Sequence, residues 1–487
     1  MSPVQLAQLR IRRSTAGLSI LALIALGGCG ESPTGGRPVP AQIHLLSPTT
    51  QTGTPGWPVS DSVIVEVLDA DGNALSGVRV TWAAANEADV ISRQADTTNL
   101  AGRASAEWRL GRREGQQTLS ISAGDLDPIV VSATASIFHA VSVTVGGAFA
   151  CALTETGQAF CWGANLVGQL GNGTVSGPVL VPAPVSGDLV FTTLTASGAH
   201  TCGLTAGGAA YCWGGNESGE TGTGTLGSSV LTPTPVQTAL RFTRISAEGS
   251  GSWPNSTCGL TAAGEAWCWG NNSFGQLGND TTTDVAAPVR VQSDVSFTSI
   301  HTGFFHSCAV ATTGELWCWG RQEVSPGAFA ARPVGVYRTP VALQETFRFT
   351  EVIGGWNYIC GITAEHGGFC WGSNWNGTLS RDHYTAASAD PLPVTGDHAF
   401  TAISAAGYRE VHALTLDGAL YRWGDIGYNN IDTTPVQVTD LRFTQIDSGD
   451  DPFDETWYGA CGVAARNAVY CVRDDGLVQG VPAPAVP

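Results

Sequence analysis

Six times in this chain two cysteines stand ten residues apart within one recurring phrase, Cys-(Ala/Gly)-aliphatic followed by seven residues and a second Cys. The pairs are Cys151 with Cys161, Cys202 with Cys212, Cys258 with Cys268, Cys308 with Cys318, Cys360 with Cys370 and Cys461 with Cys471. A seventh copy, Val411 to Gly424, carries His412 and Arg422 at the two positions, so both cysteines are missing together. Bonded partners behave this way, because loss of one leaves a reactive orphan. The spacing predicts one disulfide per repeat. In the first copy Cys151-Ala152-Leu153-Thr154 runs into Glu155-Thr156-Gly157 and returns as Gln158-Ala159-Phe160-Cys161-Trp162. Two short apolar runs around a three-residue loop ending in Gly read as a hairpin whose last loop residue has positive φ. Pairing Thr154 with Gln158 sets Cys151 opposite Cys161 at a non-hydrogen-bonded pair. The Cα atoms there are about 4.5 Å apart, at the short end of what a disulfide tolerates. Gly208, Gly264, Gly314 and Gly418 repeat the loop glycine, and Asn467 also tolerates that conformation. His366 breaks the pattern, with Gly367 one place late, and predicts a different turn.

Six structural disulfides require an oxidising compartment. Arg10, Arg12 and Arg13 form a basic start, Leu18 to Leu26 is an apolar run too short to span a bilayer, and Leu26-Gly27-Gly28-Cys29 follows. This resembles the lipobox of bacterial lipoproteins. The resemblance implies cleavage before Cys29, lipidation of its sulfur and a membrane-tethered mature chain. The other reading is an ordinary secretory signal with an incidental cysteine. Thirteen cysteines with six pairs leave Cys29 alone, which favours the lipid. In the Gram-negative pattern, Gly30 rather than Asp after the lipidated residue argues against retention at the inner membrane. The stretch from Gly30 to Pro40 reads as a flexible spacer.

The chain has 487 residues, a formal charge of −18 and only 13% charged residues, with 62 glycines. Removing the first 28 residues takes away three arginines and no acid, leaving −21. Such a surface repels phosphate backbones, so nucleic acid is excluded as a partner. There is no lysine, which rules out chemistry that needs a lysine amine: Schiff bases, phosphate-loop lysines and Ser-Lys nucleophiles. Little of the chain has a helical apolar period, so an all-β fold is expected.

From about Ala41 to Ala135 short alternating strands recur. Val63 to Leu68 alternates, Asp69-Ala70-Asp71-Gly72-Asn73 turns, and Val78 to Trp82 alternates again, with further strands at Arg103 to Leu110, Gln117 to Ala123 and Ile129 to Ala135. This pattern predicts a β-sandwich. Val67 to Val78, with Thr98-x-x-x-Gly102-x-Ala104, resembles the bacterial immunoglobulin-like domains of invasin-type adhesins, where such modules serve mostly as stalks. Asp69, Asp71 and Asn73 lack the glycine placement of an EF-hand loop and read as a plain turn.

Beyond Phe138 the first cysteines, with His412 in the sixth place, recur every 49 to 56 residues over seven copies. Each later unit also carries Phe-Thr-x-aliphatic, as at Phe191 to Leu194 and Phe297 to Ile300. A unit of about four short strands cannot bury its own faces, whereas seven closing in a ring can, which predicts a seven-bladed β-propeller. Trp162-Gly163-Ala164-Asn165-Leu166-Val167-Gly168-Gln169-Leu170-Gly171 and Trp269-Gly270-Asn271-Asn272-Ser273-Phe274-Gly275-Gln276-Leu277-Gly278, together with Gly198 to Thr201 and Gly303 to Ser307, resemble the repeat of the regulator of chromosome condensation family. Later copies decay: Trp319-Gly320-Arg321 lacks the Asn, Trp423-Gly424-Asp425 most of the motif, and Cys471-Val472-Arg473 the Trp-Gly. The family's nuclear roles do not carry over to a secreted, acidic, disulfide-bonded chain. The secreted bacterial branch, which includes a propeller that inhibits β-lactamases by covering them with loop aromatics, is the closer parallel.

The expected organisation is a lipoprotein signal peptide at 1–28, a tether at 29–40, an immunoglobulin-like domain at 41–137 and the propeller at 138–487. The loops before the first cysteines carry Trp253, Phe304, Phe305, Trp356, Tyr358, Tyr408, Trp457 and Tyr458. Stiff amphipathic rings around one mouth suit recognition of an extracellular or periplasmic protein or a glycan. Phe149 and His200 occupy the family's structural His position, and the Trp of each Cys-Trp-Gly reads as core. Asp447, Asp450, Asp451, Asp454 and Glu455 read as a solvated acidic loop rather than a Ca²⁺ site. His301 and His306, five apart, are weak metal candidates, so no metal and no cofactor is expected. No Gly-x-Ser-x-Gly elbow or other catalytic constellation is present, so no catalytic residue is assigned. The sequence points to a monomeric binding module at the cell envelope, held to the membrane by its lipid alone. The alternatives are an extracellular propeller hydrolase or lyase, and an inhibitor of a secreted enzyme.

Overall fold

The structure is a computed structural model that describes residues 39–85, 89–111, 113–247, 255–322, 335–344, 347–355, 358–381, 387–406, 409–425, 431–449, 458–473 and 478–484. Cys29 and the 1–28 segment lie outside the described residues. Apart from a three-residue 3₁₀ turn at Ala465–Asn467, every element described is a strand.

The N-terminal part is two larger sheets over one core, with a two-stranded ribbon of Val90–Ile91 and Trp108–Arg109 beside them. One sheet is ordered Gln42–Leu45, Val63–Leu68, Arg103–Ala106; the other is Thr50–Gly53, Ile129–Ala135, Gly115–Ala123, Arg79–Ala84, Ala95–Thr97. The period-two pattern drives this: Val63, Val65 and Val67 point inward from one strand while Ile64 and Glu66 point toward solvent. They meet Val80, Trp82, Trp108, Leu119, Ile121 and Val131 in the shared core. The Asp69 turn behaves as expected. Its carboxylate accepts the Asp71 and Asn73 N–H groups at 2.9 and 2.8 Å, and these bonds, Asn73 foremost, hold its pKa below the ordinary carboxylate value.

Residues 142–480 form seven four-stranded units. Blades 1 to 5 span 142–184, 191–235, 242–290, 297–344 and 349–393 as separate antiparallel sheets. Blades 6 and 7 share one 18-residue strand, Ile431–Ser448, whose first part pairs with Ala419–Asp425 and whose last part pairs with Tyr458–Ala464. The first strands of successive blades contact one another, and the first strand of blade 1, Ser142–Val145, meets the blade 7 part of that long strand and Tyr458–Ala464. This is a propeller, with the first strands innermost.

All six cysteine pairs are bonded across the second and third strands of their blades. Cys151 is joined to Cys161, Cys202 to Cys212, Cys258 to Cys268, Cys308 to Cys318, Cys360 to Cys370 and Cys461 to Cys471, with Cα atoms 4.0–4.1 Å apart. The separation is somewhat shorter than the 4.5 Å expected of a non-hydrogen-bonded pair, because the bridge draws the two strands together. His412 faces Arg422 in the same register in blade 6. The loop glycines take positive φ, for example Gly157 at 77°. A Cβ on Gly157 would sit 2.7 Å from the Phe191 carbonyl oxygen, because the next blade's Phe-Thr strand starts on this loop: Phe191 N–H donates to Gly157 O at 2.9 Å. The expectation for His366 is corrected. His366 itself adopts φ 65° and closes the same turn, and its carbonyl accepts Phe400 N–H at 2.9 Å as the glycines do elsewhere. The ring nitrogen Nδ1 lies 3.0 Å from Phe400 O, which ties the side chain to the same strand.

The Gly-Gln-Leu-Gly phrase joins blades. Trp213 Nε1–H donates to Gln169 O at 3.0 Å and Trp319 Nε1–H to Gln276 O at 2.7 Å, each tryptophan reaching back to the preceding blade. Thr201 Oγ1–H and Ser307 Oγ–H donate to the same two carbonyls. The closing glycine lets the indole approach: a Cβ on Gly171 would lie 2.6 Å from Trp213 Nε1. The tryptophans of Cys-Trp-Gly are buried core residues in every blade that has one.

A second set of bonds runs around the axis at the inner-strand position that faces the first cysteine or His412. Thr144, Thr195, Ser246, His301, Ser404 and Asp447 occupy it, and each accepts an N–H from the next blade: Ala196, Ala247, Thr302, Gly354, Ser448 and Val145. Blade 5 has Ile353 there, whose side chain offers no acceptor.

Candidate functional site

Because neighbouring strands are antiparallel, the loops joining first to second strands and those joining third to fourth strands emerge at one end of the ring. Of the eight aromatic residues expected on this face, Trp253, Trp356, Tyr408 and Trp457 lie outside the described residues, and Tyr458 is described only as the first residue of its strand. Two of the remaining three are corrected. Phe304 is 7% exposed and Tyr358 3% exposed, so neither is a rim residue. Tyr358 starts the second strand of blade 5, and its hydroxyl donates to Glu410 O of blade 6 at 3.0 Å. At this position the family-type His is replaced by a ring that bridges blades through its hydroxyl.

Phe305 is half-buried and stands in a cluster. Its ring is edge-on to Phe304 at 4.3 Å and to Phe274 at 4.8 Å. The Arg321 guanidinium lies 5.0 Å from the centre of the Phe274 ring and 5.6 Å from that of Phe305, within cation–π range. Phe274 comes from the third-to-fourth-strand loop of blade 3, Phe305 from the first-to-second-strand loop of blade 4, and Arg321 from the end of blade 4's third strand. The two kinds of loop therefore share one surface.

The most exposed large aromatic described is Trp375, at 77%, in the third-to-fourth-strand loop of blade 5. The sequence reading missed it because it followed only the loops before the first cysteines. A signal existed: Trp375 follows the Asn of Trp-Gly-x-Asn, whose amide folds inward, with Asn374 Oδ1 accepting Leu379 N–H at 3.0 Å. The next residue must then point outward, as Leu166 does in blade 1 at 70% exposure.

The polar candidates are structural. His200 is buried and neutral, its pKa pushed down to about 3 by burial; its ring nitrogens lie 2.7 Å from Ser197 Oγ and 2.8 Å from Thr257 Oγ1. His306, pushed down to about 4 by burial and then by His301, is clasped by Gly303 and Gly354, and the described residues hold no group of three or more metal-ligating side chains. Asp447 belongs to the inner strand rather than to a solvated loop. Its carboxylate accepts Ser404 Oγ–H, Thr144 Oγ1–H and Val145 N–H, all at 2.9 Å, and so ties three blades. Asp450, Asp451, Asp454 and Glu455 lie outside the described residues.

Glu220 stands where Gln169 and Gln276 stand in their own blades. Like theirs, its side chain accepts the N–H two residues earlier, from Ser218 at 2.9 Å. Burial pushes this carboxyl up to about 7, helped by Glu217 and Asp284.

The repeat family described as Regulator of chromosome condensation (RCC1) repeat matches residues 156–204 and 263–310, and a second description of the same repeat matches 140–169, 191–220 and 297–324. The chain is 27% identical to the ultraviolet-B receptor UVR8 of Arabidopsis thaliana over 349 residues, 67% of this chain and 75% of the receptor. It is 36% identical to the mitochondrial RCC1 domain-containing protein RUG3 of the same plant over 138 residues, 28% of this chain and 30% of that protein. The fold is similar to that of human WBSCR16, with TM-score 0.57 and 20% identity, covering 67% of this chain and 90% of the other. It is also similar to yeast RCC1 (Prp20) in complex with Kap60, with TM-score 0.56 and 18% identity, covering 71% and 80%. The propeller thus carries RCC1 repeats and has the RCC1-like fold.

Proposed function

We propose that this chain is a binding module of the cell envelope: a propeller that recognises a protein partner through the face carrying Phe274, Phe305, Arg321 and Trp375. The observation that carries the reading is the exposure of Trp375 on the same face as a packed Phe–Phe–Arg cluster. Rigid aromatic rings beside a guanidinium are the groups that dominate protein interfaces, since they bury large area at little entropic cost. The yeast structure of this fold was solved with Kap60 bound, which is in keeping with a protein-binding role. In this reading Cys29 carries the lipid, residues 41–137 are an immunoglobulin-like spacer, and the six disulfides are kept oxidised outside the cytoplasm.

The test uses the chain from residue 30 onward, applied to protein and glycan arrays, with Trp375→Ala and Phe305→Ala beside it. The reading expects a protein ligand whose affinity falls at least tenfold in Trp375→Ala with an unchanged melting temperature. A ligand that binds both variants as tightly as the parent chain places recognition elsewhere, and turnover of a bound polymer favours the hydrolase or lyase reading. Mass spectrometry of the membrane-extracted, non-reduced protein checks lipid on Cys29.

A further inference from the structure

The ring closes between blade 7 and blade 1, where the segment leading into Ser142 first pairs with the blade 7 backbone through Phe138 and Ala140. No strand is exchanged there: blade 1 is built wholly from 142–184 and blade 7 wholly from 443–480. Side chains join the inner strands, and the 137–140 backbone joins the outer side of blade 7. Gln445 pairs with the Val143 backbone twice, Oε1 accepting its N–H at 2.8 Å and Nε2–H donating to its carbonyl at 2.7 Å, in the manner of an extra strand residue. Asp447 adds Thr144 and Val145, and Gly449 backs so closely onto Gly146 that a Cβ there would collide with the Gly146 carbonyl oxygen.

The last strand of blade 7, Val478–Gly480, is three residues long and lies at the edge of its sheet, where short segments fray. Yet Val478, Gln479 and Val481 are buried. Val478 packs inside the propeller with Leu414, Phe443 and Tyr470, and Val481 with Phe138 and Val463, while the N-terminal unit covers Gly480 between them. Pro55 O accepts Gly480 N–H at 3.1 Å, and Trp57 Nε1–H donates to Gly480 O at 3.1 Å, so both polar backbone groups of Gly480 are satisfied from outside the propeller. The chain leaving the unit is fixed along the same boundary. Glu114 Oε1 accepts Ile137 N–H at 3.0 Å and lies 3.2 Å from His139 Nε2, while His139 Nδ1 is 2.8 Å from Arg466 O. Phe138 N–H donates to Val481 O at 2.8 Å, and Val469 N–H to Phe138 O at 2.9 Å. Gly480 is a glycine for a reason visible here, because a Cβ would stand 2.8 Å from Ile137 Cδ1 and 3.1 Å from Pro55 O.

We propose that the N-terminal unit is a clasp on the propeller: through Pro55, Trp57 and Glu114 it holds the last strand of blade 7 and the 137–141 segment at the ring's closing boundary, so that unit and boundary open together. The unit is then more than a spacer. It sets the orientation of the binding face relative to the tether and protects the propeller at the place where a ring of repeats would open first.

Hydrogen–deuterium exchange on the full-length mature chain tests this, with Trp57→Phe, which keeps the ring and removes the indole N–H, beside Trp57→Ala. Loss of one hydrogen bond at an edge strand should raise exchange in 478–484 and 137–141 by about fivefold in Trp57→Phe and by more in Trp57→Ala. Exchange in Ser256–Thr261 of blade 3 should stay at the parent rate. If Trp57→Ala also loosens the unit's own core strand Gly115–Ala123, the clasp predicts that 478–484 loosens with it. Continued protection of 478–484 while that strand exchanges freely overturns the proposal, as does unchanged exchange of 478–484 in both variants or an equal rise in every blade.

Discussion

The boundary between blades 3 and 4 and the boundary between blades 4 and 5 do the same job with different means. At the first, the Gln276 carbonyl takes both Trp319 Nε1–H and Ser307 Oγ–H, and Ser246 Oγ takes Thr302 N–H at 3.0 Å. At the second, Ile359 stands where Ser307 stands and Trp371 Nε1 has no hydrogen-bond partner among the described residues, although the ring is equally buried. Among the described residues the boundary is held by apolar contact, with Trp371 and Phe349 of blade 5 packed at 5.4 Å in a cluster with Cys308, Val310 and Leu316 of blade 4, and by bonds from Gly354 N–H to His301 and from Phe349 N–H to Gly314 O. The motif can therefore decay without loss of the blade, because non-directional burial carries most of the energy and hydrogen bonds refine register. Blade 6 teaches the same about covalent bonds. Where the six other blades have a disulfide between second and third strands, His412 lies 3.1 Å from Ser448 Oγ and 3.8 Å from Glu410 Oε1, and Arg422 faces Asp432 at 3.8 Å.

The sharpest break comes from truncating the indoles. Trp319→Ala should cost about 3–5 kcal/mol and Trp371→Ala somewhat less, measured by denaturant unfolding, since only the former also removes a hydrogen bond seen among the described residues. The Phe variants isolate that bond, with Trp319→Phe costing about 1 kcal/mol more than Trp371→Phe. Equal costs at the two boundaries would show that the motif's hydrogen bonds contribute nothing measurable.

Glu220→Gln should stabilise the chain by on the order of 3 kcal/mol at pH 8 and by little at pH 4, because a carboxyl raised from 4.5 to about 7 is disfavoured once it must ionise. The folded state holds this proton more tightly than the unfolded chain. Its contribution is therefore greatest below pH 4.5, falls as the pH rises to about 7 and is flat above. His200 and His412, both neutral with pKa values lowered to about 3, act in the opposite sense, losing stability as pH falls below 6.5. Melting temperatures of parent and variant from pH 4 to 8 separate the two, and a pH-independent difference would remove Glu220 from the account.

Replacing Cys308 and Cys318 together by Ala should cost at most about 2–3 kcal/mol, since the bridge closes a short loop whose strands are already paired. Conversely, His412→Cys with Arg422→Cys should form a seventh bridge, seen as the loss of two hydrogens in the non-reduced mass. Failure to oxidise would mean that blade 6 has diverged in backbone as well as in side chains. The smallest stability effect is expected at Trp375→Ala, within about 0.5 kcal/mol, as befits an exposed residue.

What could be read from the chain was whatever depends on near neighbours. Cys151 and Cys161 are ten residues apart, and the hairpin that joins them is closed by Gly157; spacing and one backbone preference suffice to place both, and the same holds for Cys202 with Cys212, Cys258 with Cys268 and Cys308 with Cys318. The His366 turn was misread for an instructive reason: a non-glycine in the left-handed region costs about 1 kcal/mol, which the bonds from its carbonyl and ring to Phe400 offset from 34 residues away. Phe304 and Tyr358 turned inward, Tyr358 because its hydroxyl finds the Glu410 carbonyl of the adjoining blade, a partner 52 residues away that no local pattern reveals. Trp375 was overlooked because only the loops before the first cysteines were followed, although the Asn of Trp371-Gly372-Ser373-Asn374 marks the residue after it as outward-facing.

The sequence by itself determined the repeat, its hairpin, its disulfide spacing and hence a ring of small sheets, all of them consequences of local periodicity and short-range geometry. Only the tertiary structure decided which polar groups face one another across blades, how Gln445 and Asp447 meet blade 1 some 300 residues away, and that Pro55 and Trp57 reach the last strand. Those contacts join segments that no sequence pattern relates. They follow from the closure of the ring, which brings the two ends of the repeat array into contact once every blade has packed.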